Sequence, residues 1–197
     1  MTAGPVHEPD LVLHVLGLRG CVLPEQVAEA TGLPTSAVER RLDEAREAGL
    51  VSYRSGRVTG WFLTPAGRTA RLDHLDRERA GGSWVPAVTR IYAGFSDLNG
   101  TFKQLCTDWQ TGHDRPACIE RLRALDRAVG ELLTDLAAVL PRTARYGPRL
   151  REALARLSAG DESAFLQPLS GSYHDIWMEL HEDLLRTLGR SRGDGDG

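Results

Sequence analysis

Several residue types are scarce in this chain, and each shortage excludes something. The three cysteines, Cys21, Cys106 and Cys118, are scattered, which rules out a disulfide framework and a paired metal-ligand spacing and agrees with a reducing compartment. No apolar run approaches the roughly 20 residues of a membrane-spanning helix. The opening MTAGPVHEPD is too polar for a secretory signal, so a cytoplasmic protein with no membrane partner is expected. There is no glycine-rich phosphate loop, no Ser-His-Asp or Cys-His arrangement in a recognisable frame, and no paired metal motif. The expectation is therefore no catalytic residue, no metal, no cofactor and no enzymatic activity.

Lysine and asparagine are scarcer still: one of each, Lys103 and Asn99, in a chain with 23 arginines. That bias, with heavy use of Ala, Gly, Leu and acids, is the composition of a GC-rich genome. Residues with AT-rich codons nevertheless gather at Ile91, Tyr92, Phe95, Asn99, Phe102 and Lys103, which marks a local constraint. The remaining composition, 41% hydrophobic and 26% charged, is that of an ordinary soluble globular protein. A length of 197 residues leaves room for one larger or two modest domains, each burying its own core.

The most informative stretch is PEQVAEATGLPTSAVERRLDEAREAGLV, followed at once by SYRSGRVTGWFLTPAGRTA. After a first helix over about 10–18 (Leu11, Val12, Val15 and Leu16 inward), a short helix starts at Pro24, which suits a first helical position. Val27, Ala28 and Thr31 make its inner face, with Ala28 small because the next helix crosses closely. Gly32 supplies a tight turn and Leu33 plugs the core. Pro34-Thr35-Ser36 restart the chain with hydroxyls able to cap a second helix, whose Val38, Leu42 and Ala45 face inward with Leu50 beyond them. Gly49 ends that helix. Residues 50–53 and 60–64 then read as two strands around an Arg54-Ser55-Gly56-Arg57 turn, and a mostly polar helix runs from Pro65 to about Arg79. This order is that of a winged helix–turn–helix.

The stretch resembles the winged-helix transcriptional regulators, especially the multiple-antibiotic-resistance (MarR) and phenolic-acid (PadR) repressor families. The phrase Phe62-Leu63-Thr64-Pro65-Ala66-Gly67-Arg68 looks like their wing exit, and the resemblance covers roughly residues 10–80. It implies that Thr35, Ser36, Glu39 and Arg40 meet base edges in a major groove, where Arg bonds guanine and Glu can accept from cytosine. Arg54 and Arg57 at the wing tip suit phosphates or a minor groove. The net charge of −3 looks adverse, and residues 1–82 hold ten arginines against eleven acids. Between Arg40 and Arg71, however, seven arginines face only Asp43, Glu44 and Glu47, and local field governs approach to phosphate.

Gly81-Gly82-Ser83 reads as a linker, and an all-helical region follows. Helix 85–110 carries Tyr92, Phe95, Asn99, Phe102, Cys106 and Trp109 in one stripe. Helix 117–140 repeats Leu122, Leu125, Val129, Leu132 and Leu136 and ends at Pro141. Helix 148–158 stops at Gly160, and helix 171–188 shows Tyr173, Ile176, Trp177, Leu180, Leu184 and Leu188. Four amphipathic helices with short connections make a bundle or a dimerising module. Carboxylates are read as solvated on exposed helix faces.

A polar Asn99 in an apolar seam needs partners. These are a satisfied core contact, a dimer mate or a small ligand, whose carboxylate or phosphate Lys103 would neutralise. His174 and His181 are two turns apart, about 10 Å, too far for one metal on their own. The reading is a mainly α protein with a small β-wing: a DNA-binding winged helix over 1–80, a helical dimerisation and effector domain over 84–188, and a disordered tail over 189–197. Its partners would be double-stranded DNA, a second copy of itself, and a small-molecule effector held by Tyr92, Asn99, Lys103, Tyr173, His174, Trp177 and His181. The rival is a winged-helix protein-interaction module that does not bind DNA; a ligand-modifying enzyme with an attached regulator domain ranks lower.

Overall fold

A computed structural model describes residues 8–112 and 114–191, and the chain divides into two compact units, Met1–Gly82 and Ser83–Gly197. The protein is mainly helical, with one two-stranded antiparallel sheet among the described residues.

In the first unit, helix α1 (Glu8–Arg19) is followed by α2 (Pro24–Thr31) and α3 (Thr35–Glu47). Gly32 closes α2 in the left-handed region (φ 74°) and donates its N–H to Ala28 O at 2.8 Å. A Cβ would strain that conformation, which is why glycine serves there. Val12, Val15, Leu16, Val27, Ala30, Val38 and Leu42 interlock as the core. The small residue fully buried on α2 is Ala30 and not Ala28, which is only half-buried. The expected hydroxyl cap of α3 is not formed: Pro34 holds the N-cap position with no side-chain bond, and Thr35 and Ser36 lie inside the helix. Proline's fixed φ already starts the helix, so the hydroxyls are not spent on capping.

Strands β1 (Val51–Arg54) and β2 (Gly60–Leu63) pair antiparallel with Val51 opposite Leu63 and Arg54 opposite Gly60. Val22 extends the pairing, giving its N–H to Trp61 O at 3.0 Å and receiving Trp61 N–H at 2.8 Å. Helix α4 (Pro65–Gly81) leaves the hairpin through the Leu63–Gly67 phrase, in which three residues have distinct tasks. Thr64 accepts the Gly67 N–H at 3.1 Å as N-cap and donates its hydroxyl to Gly49 O at 2.7 Å. Pro65 occupies the first helical position, where no N–H is needed. Gly67 is there for proximity, since a Cβ would stand 1.9 Å from Leu50 O.

The second unit runs α5 (Val85–Gln110), α6 (Arg115–Val139), a 3-10 turn (Pro141–Arg145), α7 (Tyr146–Ser158), the short α8 (Ser163–Leu166) and α9 (Tyr173–Thr187). Helix α7 thus begins two residues earlier than its sequence suggests, continuing directly from the 3-10 turn. Helix α5 packs on α6, α6 on α7, and α7 and α8 on α9. Two positions of the expected stripes shift by one residue: Leu105 is buried where Cys106 is half-buried, and Leu133 where Leu132 is half-buried. Over a helix of 25 or 26 residues, the 3.6-residue period drifts from a strict 3-and-4 alternation. Ser172 caps α9, accepting the Asp175 N–H at 3.2 Å. Gly189 (φ 68°) and the Arg190 N–H, which donates to Leu185 O at 2.8 Å, close it. Most of the lead-in expected over 1–9, and the tail beyond Ser191, lie outside the described residues.

Candidate functional site

On the first unit, the sequence-derived candidates fall on α3 and the hairpin. Ser36, Glu39, Arg40, Arg54 and Arg57 are exposed and Thr35 is half-buried, whereas Val38 and Leu42 behind them are fully buried. Burial at positions 38 and 42 leaves the 36/39/40 positions outward, as the helical period requires. Arg46 bridges α3 to the hairpin, lying 5.9 Å from the Trp61 ring centre and 3.1 Å from Asp43 Oδ1. Arg54 lies over Phe62 at 5.3 Å. At the hairpin tip, Thr59 Oγ1 donates to Gly56 O (3.1 Å) and accepts the Gly56 N–H (3.2 Å), shaping the turn beside Arg57. Arg40 and Arg57 form no ion pair among the described residues. Their charge is directed to solvent.

On the second unit, a cleft of about 480 Å³ opens between α5 and α9. Of the seven effector candidates, Asn99, Lys103, His174 and His181 line it. Tyr92, Tyr173 and Trp177 stand behind or beside the wall. Tyr92 Oη lies 3.4 Å from His181 Nε2. Trp177 stacks on Phe102 at 4.5 Å and on Phe95 at 4.9 Å, and its Nε1–H donates to Asn99 Oδ1 at 2.9 Å. Asn99 is therefore satisfied at its oxygen inside the chain. Tyr173 turns the other way, donating its hydroxyl to Asp126 Oδ1 at 3.1 Å. Burial, and then Asp126, push its phenol up, so it stays protonated. Phe102, Cys106 and Met178 add the apolar wall, with Thr107 and Gln110 also lining the cleft. Burial pushes the Cys106 thiol up to about 12, so it lines the cleft as a neutral group.

The sequence reading missed one cluster entirely. Carboxylates were expected on exposed faces, yet Glu179 and Asp183 are buried on α9, and Asp108 on α5. Tyr146 donates its hydroxyl to Asp183 Oδ2 at 2.9 Å, and Arg145 Nη2 reaches the same oxygen at 3.4 Å. Arg142 lies 3.6 Å from Asp183 Oδ1 and donates to Thr187 Oγ1 at 2.6 Å, while Arg149 donates to Glu179 Oε2 at 3.0 Å. Three guanidinium groups and two carboxylates thus fix the 3-10 turn and α7 onto α9. All five side chains are less than a tenth exposed. A spacing signal existed, since Arg142, Arg145 and Arg149 recur at helical intervals, as do Glu179 and Asp183. Charge alone made the carboxylates read as solvated. Among the described residues no group of three or more His, Cys, Asp or Glu gathers as a metal site, and no helix is long and apolar enough to cross a membrane.

Compared with known proteins, the chain matches no family model, no curated protein and no solved structure.

Proposed function

We propose that the protein is a DNA-binding transcription regulator of the winged helix–turn–helix kind. In this reading α3 enters a major groove, the β1–β2 hairpin serves as the wing, and the second unit dimerises and senses a small molecule. The observation that carries it is the outward, unpaired charge of Arg40 on α3 and Arg57 on the hairpin, elements anchored by the Gly32 turn and the Thr64–Gly67 exit. Guanidinium groups left out of protein ion pairs are available to phosphate and guanine. One such helix reads only a few base pairs, so a two-fold pair of chains on two half-sites is the economical arrangement. A ligand in the second unit would act by favouring one spacing of the two heads.

The test is fluorescence anisotropy of the full chain on labelled duplex from upstream of its own gene and on random duplex, across a salt series. Binding that weakens steeply with salt and drops by at least about tenfold in Arg40→Ala/Arg57→Ala supports the reading. No binding to either duplex at low salt overturns it. A second reading has its own observation: Tyr53 and Val58 are half-exposed on the same hairpin, an apolar surface that a protein partner would cover. In that interaction module both arginines would be dispensable.

A further inference from the structure

We propose that the cleft between α5 and α9 takes a small organic monoanion, a carboxylate on an apolar body, held by Asn99 and Lys103. This rests on the sensing role proposed above and gives its ligand a chemical class. A space of about 480 Å³ is within the range of small-molecule pockets. Among the described residues its lining contains no carboxylate, and the one permanent charge there is the Lys103 ammonium, so the cleft attracts an anion and repels a cation. Asn99 and Lys103 lie one turn apart and share a face of α5. With its oxygen held by Trp177 Nε1 at 2.9 Å, Asn99 has its Nδ2 donors left for the cleft it lines. An amide N–H and an ammonium side by side suit the two acceptor oxygens of a carboxylate.

The rest of the lining selects the body of the ligand. Phe102 is 2% exposed and pinned by stacking on Trp177 at 4.5 Å and on His174 at 6.1 Å. With Met178 it forms the apolar wall of the cleft. The single permanent charge of Lys103 balances a carboxylate and not a phosphate dianion. Composition points to the same place. A chain with 23 arginines has its only lysine and its only asparagine one turn apart in one cleft.

The chain has just two methionines, Met1 and Met178, so methyl-13C methionine labelling yields two resonances, one of them on the cleft wall. Full-length protein would be titrated with benzoate, 3-phenylpropionate and octanoate, each beside its primary amide. The expected result is a saturable shift of the Met178 methyl with at least one acid, and binding of its amide weaker by about tenfold or more. Lys103→Gln removes an exposed side chain that bonds nothing among the described residues, so the variant should fold and lose the same factor. Acid and amide binding alike, an unchanged Lys103→Gln titration, or no saturable shift with any acid overturns the proposal. No DNA is present, so the outcome is independent of whether the first unit binds it. Anisotropy on duplex with and without saturating acid then separates the two ideas. A Met178 shift with unchanged DNA affinity supports the ligand class and overturns the sensing role.

Discussion

Between residues 8 and 82 the buried apolar side chains are Leu, Val and Ala, and His14 and Arg71 are the only buried polar or charged ones among the described residues. Between 83 and 191 eight aromatic residues are buried among the described residues, together with nine polar or charged residues and the side chains of Arg142 and Arg145. The first unit is specified by backbone closeness. Gly67 lies against Leu50 O, Gly60 against Val22, and Thr64 spans two carbonyls. Apart from Arg71, its charges are left for the surface. The second unit is specified by directional contacts inside, the Trp177–Asn99 bond, the ring stack and the five-member ionic cluster. Buried ion pairs contribute little net stability but penalise any arrangement that leaves one member alone. The two halves therefore respond to opposite kinds of substitution.

The largest effects should come from breaking each specifying device. Asp183→Ala leaves Arg142, Arg145 and Tyr146 facing an empty acceptor site, and about 3–5 kcal/mol of stability should be lost, as expected for a broken buried pair. Thermal unfolding followed by circular dichroism measures this, and a change below about 1 kcal/mol would show the cluster to be hydrated. Gly67→Val is the counterpart in the first unit. Its Cβ meets a backbone carbonyl that cannot swing aside, so amide resonances of residues 20–80 should lose their native dispersion while those of the second unit keep theirs. Thr64→Val is milder. It removes the N-cap of α4 and the Gly49 bond, for about 1 kcal/mol.

The difference between the units also decides how much could be read without coordinates. The hairpin, the Gly32 turn and the Thr64–Gly67 exit were legible because proline, glycine and hydroxyl residues report backbone geometry directly. Ala30, Leu105 and Leu133 were missed by one or two positions, where a short helix or a drifting period leaves the inward face ambiguous. In the second unit the ring stripe of α5 and the face of α9 were legible, and four of the seven named side chains line one cleft. Tyr173 does not line that cleft: helical spacing gives a face and not the neighbour across it, which is Asp126 on α6. The arginine–carboxylate cluster was missed for a physical reason: its spacing repeats, but a charged residue that is buried and paired has the same letter as one in water.

A subtler effect sits at that Tyr173–Asp126 contact. Burial raises the Asp126 carboxyl above its ordinary range, against the opposing pull of the Tyr173 hydroxyl, Arg151 and Arg127. A carboxyl whose value rises on folding holds its proton more tightly in the native state. Its contribution to stability is therefore full below the ordinary carboxylate range and is lost as pH climbs through the raised value. Asp126→Asn retains an acceptor for the Tyr173 hydroxyl and removes the desolvated charge. The variant should equal or slightly exceed the parent at neutral pH, and that margin should shrink as pH falls through this window, because the parent's carboxyl takes up its proton. Unfolding midpoints from pH 7 downward check it, and a clear loss at neutral pH would show that the charge itself is needed.

The smallest stability change should come from the most conspicuous charges. Arg40 and Arg57 are exposed and outside any ion pair among the described residues, so Arg40→Ala/Arg57→Ala should leave the unfolding midpoint within about 0.5 kcal/mol of the parent. That near-null result sharpens the contrast, because the same kind of residue costs several kilocalories when its partner is removed on α9. It also makes the DNA experiment interpretable. A variant that folds as well as the parent and loses salt-sensitive binding has lost an interface and not a fold. If the double variant instead unfolds early, those arginines support α3 and the hairpin from within. The division between an outward-charged first unit and an inward-charged second one would then fail at the residues that define it.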